Sequence, residues 1–191
     1  SVAYSANDLV IVEFDEHVRK RPEMYFGSGF DSPRFPIAVL ESVAAHALHP
    51  AAAVAVESHT LRSSVDILDD RSFTITTLCP QDLAEGYHGS LITVRWLSLA
   101  ATAVISQHGV VEVWSEGIGL RQELTGIRPS APRRPYDAAA GSGMRVTLHL
   151  DPEYVVAFPS VHGLDLHSPY CEDPPRGGAV VFRDLRPTTY L

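Results

Sequence analysis

The sequence predicts an α+β fold, a two-layer sandwich in which helices come early and a mixed, mostly antiparallel sheet with helices on one face follows. Three observations predict it. The clearest 3.6-residue apolar period lies early, over residues 37–48. A hairpin pattern follows over residues 65–76. Three alternating segments then run consecutively after residue 110, which disfavours a doubly wound parallel sheet.

Taken in order, residues 8–18 start behind an Asn7 or Asp8 cap and read as a short helix or irregular turn. It must end near Arg21, because Pro22 pushes the residue before it out of helical geometry. After Pro33 and Pro36, apolar residues recur at 37, 40, 43 or 44, 47 and 48 until Pro50 stops the helix. Val65 and Ile67 alternate with Asp66 and Leu68, Asp69 to Ser72 supply a turn, and Phe73 and Ile75 alternate with Thr74 and Thr76. Residues 79–90 hold the breakers Pro80, Gly86 and Gly89. The apolar, small-residue stretch from Leu91 to Ser106 suits a buried helix. Segments 110–117, 119–127 and 143–150 read as strands, with a Pro- and Arg-rich loop from Arg128 before the last. The tail from Ala157 to Gly177 is expected to wrap the surface before residues 177–185 add a strand. No internal repeat is visible.

Composition excludes several classes. The 191 residues are 45% apolar and 20% charged, an ordinary globular balance for one domain over residues 1–191. The formal net charge of −8 argues against nucleic acid as a partner. No segment approaches the roughly 18 uninterrupted apolar residues of a membrane span. Cys79 and Cys171 are the only cysteines and form no zinc pair, and no basic leader with an apolar run opens the sequence. A reducing, cytoplasmic compartment is expected. His46 and His49, with His162, His167 and Cys171, could be assembled into a metal site, but nine histidines make such pairs by chance, and no metal is expected.

Val18–Gly27, reading V-R-K-R-P-E-M-Y-F-G, resembles the V-R-K-R-P-G-M-Y-I-G segment of the ATPase domain of the DNA gyrase B subunit and its relatives with the Bergerat, or GHKL, fold. Four further segments match in order: I-A-V-L-E-S-V-A-A-H-A-L, V-E-V-W-S-E-G with R-Q-E-L after it, S-G-M-R-V-T-L-H-L-D-P-E-Y-V, and G-G-A-V-V-F-R-D-L-R-P. The resemblance runs from about residue 12 to 186, without the family's transducer-like domain. It implies the Bergerat sandwich.

The resemblance places Glu41 on the family's general base, the carboxylate that activates water against the γ-phosphate. Three and four residues on, the family's aspartate and magnesium-holding asparagine are here Ala44 and Ala45, and a methyl group cannot ligate a hard cation. Thr77 stands where an aspartate receives the adenine amino group, Met144 replaces the threonine after T-G, and Ser115 replaces the arginine of V-E-V-W-R-D-G. The phosphate lid is shortened. Either Gly86 and Gly89 match lid glycines, or residues 101–106 run under V-V-N-A-L-S, the preferred register. Neither offers a full glycine loop of N–H donors.

These departures imply a domain that has lost ATP hydrolysis, needs no cofactor, and acts as a binding or auxiliary subunit with a protein partner, a second copy or a small ligand. An enzyme of specialised metabolism is one candidate partner. Two alternatives carry different expectations. One is an active or ATP-binding member, with ATP and magnesium, Glu41 as base and Thr77 on adenine. The other is a stand-alone enzyme that reuses the nucleotide cavity. The apolar stretch Leu91 to Ile105 is either core or, with the lid gone, a contact surface. Arg128, Arg133 and Arg134 form a local basic patch that reads as a solvated loop.

Overall fold

The computed structural model describes residues 13–48, 62–78, 83, 85–93, 96–159 and 179–187. The chain enters through α1 (Phe14–Lys20), which ends at Arg21 just before Pro22, as that proline dictates. The single-turn α2 (Glu23–Phe26) closes on Gly27 at φ 67°, a left-handed position suited to glycine. The main helix, α3 (Phe35–Leu48), begins two residues ahead of the apolar period and carries Pro36 in its first turn, where no intrahelical N–H is missed. The Asn7 or Asp8 cap, His49 and Pro50 lie outside the described residues, as does the side chain of His46.

The strands are β1 (Arg62–Ile67), β2 (Ser72–Leu78), β3 (Ser106–Ser115), β4 (Ile118–Thr125), β5 (Arg128–Pro129), β6 (Arg134–Asp137), β7 (Ser142–Leu150) and β8 (Ala179–Asp184). They form one sheet in the order β5-β4-β3-β7-β2-β1-β8, with β6 also beside β4. All pairings are antiparallel except β1 with β8. The protein is therefore α+β with a mixed, mostly antiparallel sheet. Alternation decides which face is core: Val65, Ile67, Phe73, Ile75, Val111, Val113, Val146 and Leu148 are buried, while residues between them reach solvent. Helix α3 packs against β1 and β8, and α4 (Leu97–Val104) against β3 and β7. No helix among the described residues is long and apolar enough to cross a membrane.

Three expectations change. The helix expected over residues 91–106 is only the eight residues of α4. Leu91 and Ile92 are buried outside any helix, where the Leu91 N–H donates to Gln122 Oε1 at 2.8 Å instead of to a helical carbonyl. The strand expected from residue 110 starts at Ser106, whose hydroxyl donates to the Thr102 carbonyl at 2.7 Å and closes α4. Finally, the loop after Arg128 contains β5 and β6, both paired along the outer edge of β4. Of the tail, residues 157–159 are described. The Phe158 N–H donates to the Asp70 carbonyl at 2.7 Å and its ring meets Phe73 edge-on, so the tail does begin by folding onto the β1–β2 turn. Among the described residues of the segment from Leu91 to Ile105, Leu91, Ile92, Trp96, Leu99 and Ile105 are all buried in the core.

Candidate functional site

The sequence-predicted site residues fall into two groups. Thr77, Met144 and Ser115 lie at one end of the core face on the adjacent strands β2, β7 and β3. Thr77 pairs with Met144, Met144 with Val113, and Ser115 with Ser142 one step further along β7. Met144 is buried between its neighbours. The Ser63 hydroxyl donates to Thr77 Oγ1 at 3.0 Å, within the core. The Ser115 and Ser142 hydroxyls share a half-buried hydrogen bond of 3.0 Å.

Glu41, Ala44 and Ala45 form the second group, on α3. A turn at Ser32, whose carbonyl receives the Phe35 N–H, places Arg34 at the helix entrance. Two helical turns on, Arg34 Nη2 donates to Glu41 Oε2 at 2.9 Å, reaching from solvent to a carboxylate only 7% exposed as a residue. Ala44 and Ala45 are 0% and 1% exposed, so both methyl groups are packed in apolar core and offer no donor atom. Helix α3 lies over β1 and β8, and β1 is the strand whose Ser63 holds Thr77.

Gly86 and Gly89, the glycines of the less preferred register, frame a tight 3-10 turn, Tyr87–Gly89. Four N–H groups here are engaged by nearby carbonyls: Gly86 donates to Ser90 at 2.6 Å, Tyr87 to Ile92 at 3.1 Å, Gly89 to Gly86 at 3.4 Å and Ser90 to Tyr87 at 2.9 Å. A Cβ on Gly86 would stand 1.9 Å from the Ile92 carbonyl oxygen, so only glycine closes this turn. Phe14 stacks on Tyr87 at 4.2 Å and meets Tyr25 edge-on, while His17 Nδ1 and the Tyr25 hydroxyl lie 2.7 Å apart. Phe14 of α1 therefore bridges Tyr25, in the segment that carries the strongest resemblance, and Tyr87 of the 3-10 turn. Burial under this stack pushes the Tyr87 phenol up from its ordinary value.

Beside the turn, an open cleft of about 450 Å³ is lined by Glu85, Gly89, Gln122, Ser130 and Arg133 among others, with Arg133 paired to Glu85. Gln122, buried in β4, spans the junction: its Oε1 receives Leu91 and its Nε2 donates to the Gly89 carbonyl at 3.3 Å. Sequence reasoning missed a further cluster, Glu13, Asp15 and His88, whose ligand-type atoms lie within 4.8 Å of one another. Burial raises the Asp15 carboxyl, but its hydrogen bond and charge contact with Arg128, and the charge of Arg19, outweigh that and leave it below the ordinary value. The only signals in the sequence were two carboxylates flanking Phe14 and a histidine before a glycine, 73 residues further on.

No protein-family model matches the chain, and no curated protein matches it either.

Proposed function

We propose that this chain is a degenerate gyrase-B-like domain of the Bergerat type that does not hydrolyse ATP and acts by binding, as a partner or auxiliary subunit. The observation that carries this reading is the burial of Ala44 and Ala45 in apolar core. The resemblance calls for an aspartate and a magnesium-holding asparagine there, and the residues present do not fit either. In-line phosphoryl transfer relies on positioning and on charge neutralisation by the metal, so a base alone recovers little. Two further features agree. Glu41 Oε2 already accepts from Arg34, and the N–H groups of Gly86, Tyr87, Gly89 and Ser90 already donate to nearby carbonyls and so are not free for phosphate oxygens. The family's adenine contact is reduced to Thr77, whose oxygen is engaged by Ser63.

Titration with ATP and magnesium should show no binding tighter than about 1 mM, and turnover should not exceed background. Turnover that Glu41→Gln abolishes, or a low-micromolar nucleotide affinity, would overturn the proposal in favour of an active member. The solution mass of the purified protein, alone and co-expressed with products of adjacent genes, tests the partner half: a strict monomer that captures no neighbour sinks it.

A further inference from the structure

The geometry points to a divalent-cation site of the zinc class, held by Glu13, Asp15 and His88 where the start of α1 meets the 3-10 turn. One imidazole nitrogen and two carboxylate oxygens form a mixed donor set that suits zinc, cobalt or manganese better than magnesium. The three ligand atoms lie within 4.8 Å of one another. Metal bonds of about 2.1 Å at tetrahedral angles would set them roughly 3.4 Å apart, so small side-chain rotations close the set.

The histidine supplies an observation independent of the acidic pair. His88 Nε2 is shut off from solvent and finds no hydrogen-bond partner among the described residues, a state that costs free energy in any buried polar atom. His88 also sits at φ 52°, a left-handed conformation that non-glycine residues seldom adopt. The Phe14–Tyr87 stack fixes the approach, because Glu13 and Asp15 flank Phe14 and His88 follows Tyr87. A cation bound here would take a ring nitrogen of His88 and neutralise both carboxylates at once, and a fourth position remains for water through the exposed Glu13 side.

Asp15 is not idle without a metal. Its Oδ2 lies 3.3 Å from Arg128 and 4.0 Å from Arg19, and its Oδ1 accepts the Glu16 N–H at 3.2 Å. Both arginines are about half exposed and each reaches Asp15 through a single nitrogen, so a divalent ion displaces them by supplying more charge at closer range. Arginine and metal therefore compete for the same carboxylate.

The test is calorimetry of the full chain with Zn²⁺, and Co²⁺ absorption as a spectroscopic readout. One site is expected, weakened at least about tenfold in His88→Asn and in Asp15→Asn, since even outer partners of metal ligands are worth about 10–100-fold. Asparagine tolerates the left-handed backbone of position 88, and Asp15→Asn gives an independent reading if the turn still fails to form. Arg128→Ala should tighten binding a few-fold by removing the competitor. His108→Ala, on exposed β3 backbone beside His149, should change nothing. Wild-type affinity in both His88→Asn and Asp15→Asn, loss in His108→Ala, or unchanged or weaker binding in Arg128→Ala would each overturn the assignment.

Discussion

At Thr77 the question is whether a hydroxyl at a position the resemblance assigns to adenine is kept for a ligand or for the core. Its oxygen accepts from Ser63 in the interior, so a ligand is not needed to explain it. Thr77→Val should destabilise the fold by about 1–3 kcal/mol, because the Ser63 hydroxyl is left buried without its acceptor. Adding Ser63→Ala should recover part of that loss, as both polar groups are then gone. Strictly additive costs in urea unfolding would show that the two hydroxyls do not depend on each other. Asp69 poses a different residue-scale question. Burial raises its carboxyl, but the Arg71 N–H, the Ser72 hydroxyl and N–H, and the charge of His149 together hold it below the ordinary value. A carboxyl depressed in the folded state adds stability that is complete above its unfolded pKa, about 3.9, and is lost as pH falls through the folded value. Asp69→Asn should therefore flatten the acid side of the stability profile below about pH 4 and leave its slope at neutral pH alone. An unchanged acid limb would refute this.

Among the elements, β3 and β7 show how much the sequence could reveal. Alternation located both strands, and in the Glu116-Gly117 hairpin between β3 and β4, with φ 50° and 85°, Gly117 suits its left-handed position while Glu116 is an uncommon occupant of one. What alternation cannot reveal is which glycine is pinned by a neighbour across the sheet. Gly143 pairs with Trp114, and a Cβ there would lie 2.3 Å from the indole; Gly119 pairs with Tyr136, with the same 2.3 Å clearance to the phenol ring. Gly143→Ala and Gly119→Ala should each cost about 1–3 kcal/mol by overpacking, and the first should also shift tryptophan fluorescence. Full stability in both would mean the rings move aside freely. The strands β5 and β6 were hidden for a related reason, since prolines and arginines suppress the alternating pattern on an edge that pairs only with β4. The candidate site was legible to the same extent. That Thr77 and Met144 share a face follows from strand period, and that Ala44 and Ala45 could not ligate follows from their chemistry. The carbonyls that engage the N–H groups around Tyr87–Gly89, and the meeting of Glu13 and Asp15 with His88, depend on how the chain closes on itself, and no local pattern encodes that.

For the whole molecule, the decisive closure is made last in the chain. The strand β8 comes from the C-terminal region and lies parallel to β1, against α3, in a register running from Arg62 with Ala179 to Ile67 with Asp184. Arg183 grips Asp66 with two bonds of 2.6 and 2.7 Å across 117 residues. Arg186 joins Asp184, Asp70 and the carbonyls of Phe158 and Pro159, so it ties the end of β8 to both the first hairpin and the start of the tail. The exposed Arg183–Asp66 pair is screened by water, and Arg183→Ala should leave the unfolding midpoint nearly unchanged. Removing the strand itself is a different matter. Ending the chain at residue 178 leaves β1 as an open edge with unpaired backbone groups and uncovers the α3 side of the core, the arrangement that invites edge-to-edge association. The truncated chain should lose its cooperative transition or run as higher-mass species in light scattering, while full-length Arg183→Ala does neither. A monomeric truncation with an unchanged midpoint would show that β1 closes the sheet alone and that β8 only decorates it.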